Sequence, residues 1–186
     1  MGNTAFFQAI DRSHGRELWR TDGTEAGTEL VKDVNPGPAG STDPSPRPPH
    51  LAELDGVLYF VASDGVHGDE LWRSDGTEAG TELVADVRPG SSGSLIPDSS
   101  HYGAITAVGD TLYFTASDGV GGRELWRSDG TAAGTRLVED INPGSDASWP
   151  IILVAVNNVL YFTADDGVHG KELWRSDGTA AGTELV

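Results

Sequence analysis

The stretch Glu70-Leu71-Trp72-Arg73-Ser74-Asp75-Gly76-Thr77-Glu78-Ala79-Gly80-Thr81-Glu82-Leu83-Val84 decides how this chain is read. Glu70 to Ser74 has the character of a short strand, Asp75-Gly76 stops it, and Thr81 to Val84 resumes an alternating run. The same string, slightly altered, surrounds Trp19, Trp126 and Trp174, so that Glu-Leu-Trp-Arg occurs four times at steps of 53, 54 and 48 residues. A period of roughly 50 residues is longer than helical repeats and suits a four-stranded propeller blade.

Upstream of each copy stands an apolar run: Ala5-Phe6-Phe7, Leu58-Tyr59-Phe60, Leu112-Tyr113-Phe114 and Leu160-Tyr161-Phe162. One unit therefore reads as strands a (51–54), b (57–63), c (69–74) and d (81–87), with no helical periodicity sustained over three turns. The turns are too short for crossovers, so neighbouring strands are antiparallel. A lone four-stranded meander cannot cover both of its faces, and radial stacking of several sheets solves that, with Leu-Trp of strand c packed between neighbours.

The expected fold is all-β, a β-propeller or propeller-like array of about four antiparallel four-stranded blades, the first lacking its first strand. The units span residues 3–36, 49–90, 102–144 and 149–186 of one repeat-array domain. Residues 37–48 form a Pro-rich connection between blades, and Pro36 to Pro49 holds six of the ten prolines, which reads as an extended or irregular surface segment. The pattern opens at strand b of the first unit, so Met1-Gly2-Asn3 reads as a fragment start without a signal peptide.

Composition excludes several functions. Of 186 residues, 29 are acidic and 12 are Lys or Arg, for a net charge of −17, which opposes binding to nucleic acid or anionic lipid. No run of 18 apolar residues is present, so membrane insertion by a helix is not expected. There are no cysteines, which removes disulfides, thiolate metal sites and Cys nucleophiles.

The string Glu-Leu-Trp-x-x-Asp-Gly-Thr-x-x-Gly-Thr resembles the ELWxxDGT repeat family of bacterial surface and secreted proteins, over nearly the whole chain. The resemblance implies an extracellular or cell-surface location and a propeller-like array, and no established chemistry.

Most repeated residues read as scaffold. Trp19, Trp72, Trp126 and Trp174 are packing positions. Glu70, Arg73 and their equivalents read either as charged ligand contacts or as ion pairs between strands or blades, and a contact repeated in every unit favours the second. In Asp75-Gly76-Thr77, Asp and Thr can cap their own backbone while Gly supplies a positive φ. The rival for such Asp-rich turns is Ca²⁺, with Asp64, Asp69, Asp165 and Asp166 on the b–c loops as the more open ligands. His14, His67 and His169 repeat in the b–c turn, spread too widely for one metal, and Gly121 takes that place in the third unit.

A binding surface is expected on the rim that carries the b–c turns and d–a connections, because variable loops on a repeated scaffold hold specificity. Trp149, Tyr102 and His101 are the ligand candidates there, with His50 and Arg47 nearby. No nucleophile, zinc-protease, P-loop or Rossmann motif is present, so no catalytic residue is assigned. The expected function is a non-enzymatic extracellular recognition scaffold for glycans or cell-surface polymers. The alternatives are a self-assembling surface protein with Ca²⁺-stabilised repeats, associating through the open edge of blade 1 at Phe6-Phe7, and a hydrolase.

Overall fold

Alternating apolar runs stopped by Asp-Gly pairs become strands at the places the repeat requires. In the computed structural model, which describes residues 3–42, 51–95 and 105–186, the chain forms fifteen strands, and no helix occurs among the described residues. The first sheet holds β1 (Ala5–Asp11), β2 (Gly15–Thr21) and β3 (Glu29–Leu30). The second holds β4 (Leu51–Leu54), β5 (Val57–Ala62), β6 (Glu70–Ser74) and β7 (Glu82–Ala85). The third holds β8 (Thr106–Val108), β9 (Thr111–Ala116), β10 (Glu124–Ser128) and β11 (Arg136–Glu139), and the fourth β12 (Ile151–Val156), β13 (Val159–Asp165), β14 (Lys171–Ser176) and β15 (Glu184–Leu185). Each is an antiparallel meander in chain order, and none closes on itself.

Register explains the packing. Phe60 lies opposite Trp72, Phe114 opposite Trp126 and Phe162 opposite Trp174, so each sheet after the first shows an aromatic face. Leu71 and Leu125 point to the other face, as the period of two demands. The sheets then stack in chain order, aromatic face on leucine face. Leu18, Val31 and Val34 of the first sheet share a core with Phe60, Ala62 and Trp72 of the second. Tyr59, Val61 and Leu71 of the second pack with Phe114, Ala116 and Trp126 of the third. Tyr113 and Leu125 of the third pack with Phe162, Ala164 and Trp174 of the fourth. The sheets approach one another most closely at their first strands, with β8 beside both β4 and β12.

In the connection after strand d of the first unit, Pro36, Pro38 and Ala39 are exposed as expected, and the chain then turns inward. Ser41 and Thr42 are buried, and both donate their N–H to the Arg16 carbonyl. Residues 43–48 of the Pro-rich connection lie outside the described residues. In the second unit the same connection crosses the b–c turn so closely that a Cβ on Gly68 would overlap the backbone of Gly93, and one on Gly93 would overlap Asp69. Both glycines also have positive φ, +69° and +63°, so side chains are excluded twice over. β1 is an edge strand of the first sheet, and the Phe6 side chain on it packs on the core between the first two sheets.

The leucine face of the fourth sheet is the exposed one. Leu18, Leu71 and Leu125 are at most 1% exposed, whereas Leu173 is 45% exposed, beside Val154 and Val156. Truncation should therefore act unequally. Leu125→Ala opens a cavity between two sheets and is expected to cost about 2–5 kcal/mol. Leu173→Ala removes atoms that already face water and should stay within about 0.5 kcal/mol. Urea denaturation of the two variants tests this, and equal losses would contradict the stacking.

Candidate functional site

The b–c loops form one candidate rim. Asp64 Oδ1 accepts the N–H groups of Val66 and His67 at 2.9 Å each, and Oδ2 lies 2.7 Å from His67 Nδ1. Asp11 with His14 and Asp166 with His169 repeat the arrangement. In the third unit Asp118 keeps the backbone bonds to Val120 and Gly121, with no ring to hold. The hydrogen bond that each of these His donates to its carboxylate raises it above its ordinary value. Asp166 is held below the carboxylate range by the backbone N–H of His169 and then by its ring. Burial disfavours the charged form of Asp64, but the bonds from His67 and Val66 outweigh it and lower that group too. A carboxylate-oriented imidazole is two members of a nucleophilic triad. Among the described residues no hydroxyl hydrogen-bonds to the second ring nitrogen.

These bonds also occupy the oxygens considered for Ca²⁺. Asp64 and Asp166 use both oxygens within their own loops, and Asp165 Oδ1 accepts the Gly167 N–H at 2.8 Å. The Asp69 backbone carbonyl takes the N–H groups of Ser94 and Leu95. Asp64 and Asp69 belong to the second sheet's loop, Asp165 and Asp166 to the fourth's. Among the described residues no three acidic or His side chains converge on one point.

The opposite rim carries the Asp-Gly-Thr turns. Asp75 Oδ1 accepts the Thr77 N–H at 2.8 Å and its hydroxyl at 2.7 Å, and Thr77 Oγ1 accepts the Gly80 N–H. Asp22, Asp129 and Asp177 do the same. Gly80 is obligatory because a Cβ there would overlap the Asp75 carboxylate. The turn is complete with its own side chains.

The repeated Glu and Arg do not pair with each other. Arg20, Arg73 and Arg175 take Glu29, Glu82 and Glu184 across the neighbouring strand. Arg20, Arg73 and Arg127 each reach the next sheet through Nη1, donating to the carbonyls of Gly76, Gly130 and Gly178 at 2.7, 3.2 and 2.8 Å. Glu17, Glu70 and Glu124 are buried, held by hydroxyl and backbone donors. Glu124 accepts from Ile141 N–H at 3.1 Å, Ser148 N–H at 2.9 Å and the Ser148 hydroxyl. Glu17 and Glu70 accept the hydroxyls of Ser41 and Ser94, whose N–H groups go to the Arg16 and Asp69 carbonyls. Burial pushes all three carboxyls up, Glu124 to about 7, against the hydrogen bonds that favour the ion. Glu172, on the fourth sheet, is exposed.

Trp149 is half-buried, has a positive φ of 50°, and stacks under the Arg123 guanidinium at 5.4 Å. Tyr102 and His101, expected beside it, lie outside the described residues, as do His50 and Arg47. One feature escaped the sequence reading. Arg136 lies directly opposite Arg127 and lines a cavity of about 350 Å³ with it. Its signal was present, because Glu29, Glu82 and Glu184 occupy that place in the other units.

No family model matches the chain, and no curated protein is significantly similar in sequence. Solved structures do match in fold. A puromycin hydrolase superimposes with a TM-score of 0.60 at 16% identity, over 99% of this chain and 27% of that one. A structure from a study of two prolyl endopeptidases does so at 0.56 and 13%, over 100% of this chain and 24% of the other. This chain thus spans about a quarter of the length of those proteins. The expectation of a non-enzymatic extracellular recognition scaffold for glycans or cell-surface polymers is corrected by this finding. The proteins of similar fold are a puromycin hydrolase and a prolyl endopeptidase, and the likeness covers 27% and 24% of their chains.

The buried carboxyls set a pH response. Folded Glu124 keeps its proton to about pH 7, while an unstructured Glu loses it near 4.5, so the folded state binds more protons between these values. Stability contributed by this group is therefore full below 4.5 and lost as pH rises towards 7. The raised His groups act the same way, losing their contribution as pH climbs through and above 6.5. The lowered Asp groups lose theirs as pH falls below 3.8. The melting temperature is expected to be highest in mildly acidic buffer and to decline towards neutrality, with a shallower decline in Glu124→Gln. A steady rise from mildly acidic to neutral pH would contradict this account.

Proposed function

We propose that this chain is a section of a β-propeller domain of a peptidase-like hydrolase, and that it serves there as a non-catalytic part that receives peptide. The observation that carries the reading is that the fold likeness covers 99% of this chain, from first sheet to last, and 27% of a single hydrolase. The four sheets are read as blades. They are successive meanders, stacked aromatic face on leucine face, and the second, third and fourth approach one another at their first strands. Such stacking supports reading them as propeller blades set around an axis. The exposed leucine face of the fourth sheet, with Val154, Val156 and Leu173, is read as the surface on which a further sheet stacks.

Peptide is the ligand class that this reading assigns to the loop rim. The Asp–His pairs there offer imidazoles oriented by their carboxylates, and the half-buried Trp149 offers an aromatic surface for an apolar or prolyl side chain. The test is a fluorescence-anisotropy titration with labelled proline-containing peptides, the recovered peptide being weighed by mass spectrometry. Saturable binding with the peptide returned intact is expected. Failure of every peptide in a varied set to bind would overturn the reading, and so would cleavage by the purified chain, because it would make this section catalytic.

A further inference from the structure

The four sheets repeat one cross-strand contact, and the third breaks it. In the first sheet, Arg20 directs Nε and Nη2 at Glu29 Oε1, at 2.9 and 2.5 Å. Arg73 does so with Glu82 and Arg175 with Glu184, each with Nε at 2.8 Å. In the third sheet the residue opposite Arg127 is Arg136. Like charges placed directly across an antiparallel pair repel. Exchanging a carboxylate for a guanidinium moves the local charge by two units.

Arg127 nevertheless keeps the orientation of its equivalents. Its Nη1 donates to the Gly178 carbonyl at 2.8 Å, as Arg20 donates to Gly76 and Arg73 to Gly130. The bond to the next sheet holds the guanidinium so that Nε and Nη2 face the position where the other sheets place a carboxylate. Among the described residues nothing accepts from that edge of Arg127, and Arg136 has no hydrogen-bond or ion-pair partner. The two arginines line a cavity of about 350 Å³ together with Thr111, Thr131 and Asp129. The neighbouring cavity, on the side where Glu82 pairs with Arg73, is smaller, at about 200 Å³.

We propose that the third sheet binds a carboxylate anion between Arg127 and Arg136, the ligand supplying the group that Glu29, Glu82 and Glu184 supply in the other sheets. A planar carboxylate matches the two parallel N–H donors of one guanidinium edge, and the second arginine adds charge. Asp129 bounds the charge that the site accepts. Its Oδ1 is held by the Thr131 N–H at 2.9 Å and hydroxyl at 2.7 Å, so the side chain stays on the cavity wall as an anion. With two cations, the fixed Asp129 at the wall and Asp177 also within the field of Arg127, a monocarboxylate fits better than a phosphate dianion.

The experiment follows the arginine side-chain Nε–H signals by ¹H–¹⁵N NMR while acetate, chloride or inorganic phosphate is added at constant ionic strength. Acetate is expected to shift the Arg127 signal saturably, with Arg73 unmoved as an internal reference. Arg136→Glu rebuilds the pair seen in the other sheets, so it should fold normally and weaken the acetate response at least about tenfold. An Arg127 shift that chloride or phosphate reproduces would overturn the proposal in favour of general screening. An undiminished acetate response in Arg136→Glu would overturn it as well, because a rebuilt in-chain carboxylate must compete for the same donors.

Discussion

A carboxylate buried without a cation sits at each joint between sheets, and the stack is organised around it. Glu17, Glu70 and Glu124 are removed from water, where an unpaired charge is expensive. Their oxygens gather backbone N–H groups from the connection after the last strand, and the hydroxyls of Ser41, Ser94 and Ser148. Hydrogen bonds to the ionised form are worth about 1.5–3 kcal/mol each, yet desolvation outweighs them and these carboxyls hold their protons above the usual range. The same three serines turn their carbonyls outward to the next sheet, accepting the N–H groups of Ser63, Ser117 and Asp165 at 2.8, 3.2 and 2.8 Å. One residue thus connects a buried charge, a folded-back connection and the position of the following sheet.

The rest of the joint is apolar and directional. An aromatic pair on one sheet meets a leucine on the previous one, and the arginine of strand c reaches across to the next Asp-Gly-Thr turn. Because every contact links a sheet only to its neighbours, the pattern tolerates extension in either direction and asks little of overall sequence identity. That is the physical basis for a shared fold at 16% identity with a hydrolase of other sequence.

In such an array, what repeats is scaffold, and departures from the repeat are where units differ in chemistry. Gly121 removes an imidazole from one loop, Trp149 adds an aromatic surface beside Arg123, and Arg136 replaces an acid by a base. None of the three disturbs a joint. Each lies in a loop or next to one, at an end of its sheet.

Much of the architecture was decided by sequence alone. The strands, the three-stranded first sheet and the meander order follow from period-two runs closed by Asp-Gly, because local turn chemistry and alternation are written in adjacent residues. The caps that Asp and Thr place on the Asp-Gly-Thr turn are local too, as those bonds join residues no more than four apart. The buried Glu was not legible as an ion pair or as a ligand contact. Its partners stand 17 and 24 residues onward, in a connection that reads as surface loop until the fold brings it inside. The regular separation of Glu and Ser by 24 residues in three units is the trace it left. Likewise the sequence held the exchange of Glu for Arg136, but only cross-strand register set two guanidiniums face to face above a cavity. Tertiary structure decided these sites because their charge and geometry come from residues distant in the chain, whose proximity no local pattern encodes.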